Sequence, residues 1–213
     1  MMINPILTAP KRDPGKIRVI FDLSYPPKAS VNHFTPRDSF LGEPAQCALP
    51  KFEDIVSFIV KQGEGSWLYS VDVARAYRSL KICPGDINLL GINHRDKYYV
   101  DLAVAFGLRN GANYCQGMAR LVNTAHIRAG HDSITYVDDM LGGVPAEQGE
   151  HRALAGFTSL TNLLEHLGWP SSLDKNTPPA TRITYCGLDY DSVAMTVELS
   201  QKRREKVLAV IDS

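Results

Sequence analysis

The sequence lacks the features that mark several large classes of protein. No stretch of about 18 apolar residues occurs in its 213 residues, so no membrane-spanning helix is expected. Its start, Met1-Met2-Ile3-Asn4-Pro5, lacks the basic-then-apolar layout of a signal peptide. Only four cysteines occur, at Cys47, Cys83, Cys115 and Cys186, and none lies in a CxxC pair, which argues against a zinc site. Their wide, irregular spacing suits reduced thiols serving as small apolar filler in an intracellular protein, cytoplasmic or nuclear. Neither charge is in excess: 23 Lys and Arg stand against 23 Asp and Glu. That balance counts mildly against a nucleic-acid binder with a basic surface overall. Internal repeats and low-complexity tracts are missing too.

What is present suits a globular chain. With 44% hydrophobic and 22% charged residues, the sequence can bury a sizeable core. The charges are unevenly spread. Residues 1–37 hold six basic side chains against two acidic ones, a net of +4. Residues 131–150 hold Asp132, Asp138, Asp139, Glu147 and Glu150 with no Lys or Arg, a net of −5. A basic beginning and an acidic centre fit an enzyme that holds phosphates in one place and cations in another, although a solvated surface can cluster its charges in the same way.

Periodicity supplies the elements. Residues 4–10 and 16–22 read as strands around the turn signal Asp13-Pro14-Gly15. Residues 23–50, rich in Pro, Ser and Asn, read as a long loop. Phe52, Ile55, Val56, Ile59 and Val60 share one face of a helix over about 51–62, ended by Gly63 and Gly65. A strand over 67–73 ends near Asp72, and 87–93 with 97–104 suggest a hairpin. A helix is predicted over about 112–129. Two short strands, 134–137 and 140–144, flank Asp138-Asp139, and a second long helix covers 147–167. A hairpin over 181–188 and 193–199 and a basic helix over 201–212 follow. Antiparallel strands mixed with helices mean an α+β fold. In one sheet, the strand ending at Asp72 can lie beside the Asp138-Asp139 hairpin, bringing three carboxylates to one end.

Adjacent aspartates at a hairpin tip are costly. Two like charges about 4 Å apart repel by about 4 kcal/mol at an effective dielectric near 20. Either one carboxylate takes up a proton or a cation sits between them. Hard oxygen ligands suit Mg²⁺, which also accepts substrate phosphates as ligands, and a pair of such ions can serve phosphoryl transfer. Taken alone, Asp138-Asp139 reads as an ordinary polar turn.

The surroundings add a resemblance. Lys11-Arg12-Asp13-Pro14-Gly15-Lys16-Ile17-Arg18, Val71-Asp72-Val73-Ala74-Arg75-Ala76-Tyr77, Phe106-Gly107-Leu108-Arg109-Asn110 with Gln116, Tyr136-Val137-Asp138-Asp139, Leu167-Gly168-Trp169 with Lys175, and Tyr185-Cys186-Gly187-Leu188 follow one another in order. This ordered set resembles the reverse transcriptases of retroviruses and retrotransposons, with a flavour similar to DIRS-like retroelements. The resemblance implies a polymerase palm, an antiparallel sheet with packed helices and a ferredoxin-like core, plus partial fingers. Residues 1–66 would hold the partial fingers and the start of the palm. Residues 67–213 would hold the palm, with room for a fingers insertion over about 78–104.

It also implies roles. Asp72, Asp138, Asp139 and the main-chain carbonyl of Val73 would hold Mg²⁺, with Mn²⁺ as the alternative ion. Lys11 and Arg18 would hold the incoming triphosphate, Arg through its bidentate fork. The amides of Arg75 and Ala76 would meet phosphates, and Tyr77 would exclude a ribose 2′-hydroxyl. Phe106 would lie beside the nucleotide, Gly107 would let the backbone approach the template, and Lys175 would protonate the leaving pyrophosphate. The expected partners are an RNA or DNA template, a DNA primer and dNTPs. Thumb, RNase H and recombinase or integrase parts of an element polyprotein are expected to lie outside this chain. That expectation, with Ala112 and Cys115 where the family carries Pro and Phe, leaves open a catalytically silent palm that binds only nucleic acid or a partner.

Overall fold

The structure, a computed structural model, describes residues 1–10, 15–37, 39–40, 43–44 and 47–211. The chain forms two compact units: Met1–Cys47 with Arg75–Cys115, and Ala48–Ala74 with Gln116–Ser213.

The first unit opens with β1 (Ile6–Pro10) and β2 (Ile17–Phe21), paired antiparallel from Ile6 opposite Phe21 to Pro10 opposite Ile17. The stretch expected to be a loop over 23–50 carries a short helix, α1 (Val31–Phe34), and a two-residue ladder between β3 (Ser39–Phe40) and β4 (Glu43–Pro44). A Ser30 cap starts α1, its hydroxyl accepting the His33 N–H. After α3 (Ala76–Ser79) comes a hairpin of β6 (Gly91–His94) and β7 (Lys97–Val100). It is shorter than predicted: residues 87–89 form a 3₁₀ turn and the second strand stops at Val100. Phe21, Leu23, Val31, Leu90 and Ala105 form the core of this unit.

The second unit is built on a four-stranded antiparallel sheet. Its strands are β5 (Trp67–Asp72), β8 (Asp132–Tyr136), β9 (Asp139–Val144) and β10 (Thr177–Ala180), in spatial order β10-β5-β9-β8. Between them run α4 (Gly111–Arg128), which enters from the first unit, and α5 (Gly149–His166). The succession β5, α4, β8, β9, α5, β10 is β-α-β-β-α-β, the ferredoxin-like arrangement. β10 contains Pro178 and Pro179, which remove two ladder donors; an edge strand tolerates this, and the periodicity gave no sign of it. The hairpin predicted over 181–199 is instead a three-stranded meander of β11 (Arg182–Tyr185), β12 (Leu188–Asp191) and β13 (Thr196–Leu199), turning at Cys186-Gly187. Helix α6 (Gln201–Ile211) ends the described chain. Among the described residues no helix is long and apolar enough to cross a membrane.

The sheet is buried on both faces. On one, Ile55 and Ile59 of α2 (Phe52–Gln62) pack with Leu68, Leu141, Ile183, Tyr185 and Tyr190. On the other, the fully buried Tyr69 lies edge-on to His126 of α4 and Phe157 of α5. Tyr69 is paired with Gly142 across the ladder, and a Cβ there would come within 2.0 Å of the Tyr69 ring, so the neighbouring strand must be bare at that position.

His126 is fully buried behind the sheet. Its Nε2 lies 3.0 Å from the Gly156 carbonyl and its Nδ1 2.8 Å from the Ser133 hydroxyl. A carbonyl only accepts, so Nε2 carries a proton, and the Ser133 hydroxyl also donates to the Asn123 side-chain oxygen at 2.7 Å. The ring stacks on His131 at 4.8 Å. Burial pushes His126 down to about 4, and burial followed by nearby Arg152 pushes His131 down as well. Between pH about 6.5 and about 4 the unfolded chain therefore binds protons that the folded chain refuses. Stability is expected to fall as pH drops through that window, by up to about 3 kcal/mol for His126. Urea midpoints measured from pH 7 to pH 4 check this, and His126→Gln should flatten the decline.

Candidate active site

The β8–β9 hairpin turns on two residues, Val137 and Asp138, with Tyr136 opposite Asp139. Val137 has φ of 55°, a left-handed conformation that a β-branched residue adopts only when its surroundings impose it. Gln116 of α4, 3% exposed, imposes it. Its side-chain oxygen accepts the Val137 N–H at 2.6 Å, and its amide donates to the Thr135 carbonyl at 3.2 Å. Two further bonds hold the turn from other directions. The Val73 N–H donates to the Asp138 carbonyl at 2.8 Å, and the buried Tyr185 hydroxyl donates to the Asp139 carbonyl at 3.0 Å.

β5 pairs with β9 so that Asp72 lies directly opposite Asp139. The strand-end carboxylate therefore meets the hairpin, an arrangement that the strand read over 67–73 allows. Asp72 Oδ1 accepts from the Lys175 ammonium at 2.7 Å. The loop carrying Lys175 is tied back to the end of β5: the Asp72 N–H donates to the Asn176 side chain at 3.1 Å and the Asp72 carbonyl accepts the Ser172 N–H at 2.7 Å. Burial, the Asp138 and Asp72 charges and a hydrogen bond shared with Asp72 together push Asp139 up to about 7, against the opposing pull of Lys175. Lys175 is itself pushed up, first by its hydrogen bond to Asp72, and so stays protonated at neutral pH.

This cluster is short of positive charge. One carboxyl keeps its proton to near neutrality, and a lysine ammonium sits on another. Such hard oxygen donors suit a divalent cation. Among the described residues no three His, Cys, Asp or Glu side chains stand ready as a ligand set. Seating a cation on Asp72 would require the Lys175 contact to open, a change of an exposed side chain rather than of backbone.

A second group of expected residues gathers in the first unit. The Arg18 guanidinium lies 4.9 Å from the centroid of the Phe106 ring, and that ring lies 5.1 Å from the Tyr77 ring at 34°. Cation and phenol thus both lie against the Phe106 ring, the two rings tilted to one another. Arg75 has φ of 53° and opens α3, which Ala76 and Tyr77 begin. Gly107 has φ of 109°, and a Cβ there would come within 2.0 Å of the Phe21 carbonyl, so the fold itself requires glycine. Lys11 lies outside the described residues.

Three contributors escape the sequence reading. Asn32, inside the supposed loop, donates to the Gly107 carbonyl at 2.8 Å and accepts the Arg109 N–H at 2.8 Å, clasping the segment that carries Phe106. Gln116 belongs to the motif set, but nothing in its spacing reveals that it holds Val137. The Tyr185 hydroxyl, at the end of a strand, is equally silent. Gln116→Leu keeps the volume and leaves the Val137 N–H unsatisfied. It should cost about 1–3 kcal/mol in urea unfolding and speed hydrogen exchange at the Val137 amide.

No protein-family model matches the chain, and no curated protein does. Solved structures do. A foamy viral protease-reverse transcriptase (dRH) in complex with double-stranded DNA superimposes with a TM-score of 0.72 at 17% identity, over 97% of this chain and 32% of that one. The foamy viral protease-reverse transcriptase with double-stranded DNA gives 0.68 at 16% identity, over 97% of this chain and 38% of that one. Its complex with an RNA/DNA hybrid gives 0.68 at 18%, over 97% and 25%. This chain spans about a third of the length of the first of these proteins. Its mixed, largely antiparallel α and β architecture is a reverse-transcriptase-like fold.

Proposed function

We propose that this chain is the palm, with part of the fingers, of an RNA-directed DNA polymerase from a retroelement of the DIRS-like kind, and that it adds dNTPs to a primer 3′-hydroxyl. One observation carries the reading: the ladder register that sets Asp72 opposite Asp139, with Asp138 in the clamped turn beside them. Asp72, Asp138, Asp139 and the Val73 carbonyl would hold Mg²⁺ or Mn²⁺, which when bound supplies Lewis-acid stabilisation of the transferring phosphoryl group. The remaining work falls to the protein's own residues. Lys175, protonated at neutral pH, would give a proton to the departing pyrophosphate. Arg18 pairs with the triphosphate, as Lys11 would, and the amides of Arg75 and Ala76 meet its oxygens. Tyr77, its ring backed by Phe106, fills the space a 2′-hydroxyl would need. The template and primer follow from the same reading, as do the thumb, RNase H and recombinase or integrase of a longer polyprotein.

A second reading is favoured by the ion pair between Lys175 and Asp72 together with the upward shift of the Asp139 carboxyl. These offset part of the cluster's charge without a metal, as a palm that only binds nucleic acid could use.

Extension of a primer on an RNA template, with Mg²⁺ and with Mn²⁺, separates the two. Asp72→Asn and Asp138→Asn should each lower the rate about a thousandfold, several kcal/mol of lost transition-state stabilisation. Tyr77→Val should raise incorporation of UTP relative to dTTP by about tenfold or more. Full activity in either aspartate variant sinks the mechanism. A wild type that binds an RNA–DNA hybrid yet never extends it favours the second reading.

A further inference from the structure

The hairpin of β6 and β7 has no part in either group of residues above, and three features set it apart. Its base is stiff. The Gly91 N–H donates to the Met2 carbonyl at 3.1 Å, the Asn4 side chain donates to the Leu89 and Gly91 carbonyls at 2.8 and 3.1 Å, and Ile92 packs against the core of the first unit. Its tip is strained. Arg95 and Asp96 have φ of 50° and 58°, a turn for which Asn-Gly is the favoured pair because both residues must be left-handed. An arginine held there is not required by the turn, and strain of this kind points towards use. Its sides carry exposed aromatic rings. Tyr98 and Tyr99 are 64% and 48% exposed, on opposite faces of the ribbon, with Asn93 opposite Tyr98. Arg95 and Lys97 adjoin them, and Asp96 is the one acid between residues 91 and 100.

We propose that this hairpin is a binding arm for single-stranded nucleic acid. Unpaired bases stack on Tyr98 and Tyr99, and Arg95 and Lys97 meet the phosphates between them. Flat aromatic faces beside fixed positive charge hold single strands with little regard to sequence, because every base has a π-face. A duplex has already spent its base faces on its own stacking and offers the arm phosphates alone. An acidic peptide offers charge but nothing to stack.

Fluorescence anisotropy with a labelled, unstructured 12-nucleotide RNA tests the arm on the whole chain. Tyr98→Ala and Tyr99→Ala should each weaken binding about 5- to 100-fold, and Tyr98→Phe should bind like the wild type. The double variant Arg95→Ala with Lys97→Ala should reduce the slope of log affinity against log salt by about 1.4, two phosphate contacts on a single strand. A duplex of equal length should be indifferent to Tyr98→Ala. The proposal is overturned if the wild type does not bind the 12-mer, if the alanine variants bind it unchanged, or if Tyr98→Ala weakens single strand and duplex alike. Binding needs no transfer chemistry. A chain that shows these losses but extends no primer keeps the arm and loses the polymerase reading; a chain that extends primers while the variants bind unchanged does the reverse.

Discussion

Three carboxylates at one end of a sheet push each other apart, and the second unit is arranged so that the backbone carrying them stays in place. Asp72 and Asp139 are opposed by ladder register, which backbone hydrogen bonds fix residue by residue from Trp67 opposite Val144 onward. Asp138 sits in a turn that the chain would not adopt unaided, since Val137 must go left-handed to form it. The Gln116 side chain, the Val73 amide and the Tyr185 hydroxyl each occupy one backbone group of that turn. They reach it from a helix, from the end of the neighbouring strand and from the meander. The repulsion is thus answered twice, by a rigid frame and by charge. Asp139 keeps a proton to about pH 7 and Lys175 lends its ammonium to Asp72.

The frame depends on dense packing behind it. Tyr69 can lie against the sheet because Gly142 is bare, and behind it the stacked histidine pair is held by burial towards its neutral form. The same groups that make the sheet unyielding make it sensitive to acid. Rigidity of the carboxylate end and vulnerability of the layer beneath it are two results of one choice of buried polar residues.

Much of this was legible in the sequence, and what was not has physical reasons. Both long helices, the central strands and the meeting of Asp72 with the hairpin followed from period and turn signals. So did the α+β class, and the ordered motifs pointed to the reverse-transcriptase-like fold. The strand β10 was missed because its two prolines argue locally against any strand, and only its place at an edge makes them harmless. The Cys186-Gly187 turn was read as strand because the apolar pattern runs straight through it. Asn32 was lost inside a stretch whose composition says loop; its value lies in two bonds to residues more than seventy positions away. The Arg18–Phe106–Tyr77 cluster joins three residues that the motifs named one by one, yet no motif states that they touch.

The prolines of β10 have one more consequence. A sheet edge with free N–H groups invites another strand, from another copy or from a misfolded chain. On this side of the sheet, the outermost strand is Thr177-Pro178-Pro179-Ala180, with two of its four donors missing and a register shift along it. The sheet that aligns the carboxylates therefore cannot easily grow past β10. Its width is limited by composition, and the geometry at its charged end is shielded from the self-association to which exposed sheets are prone.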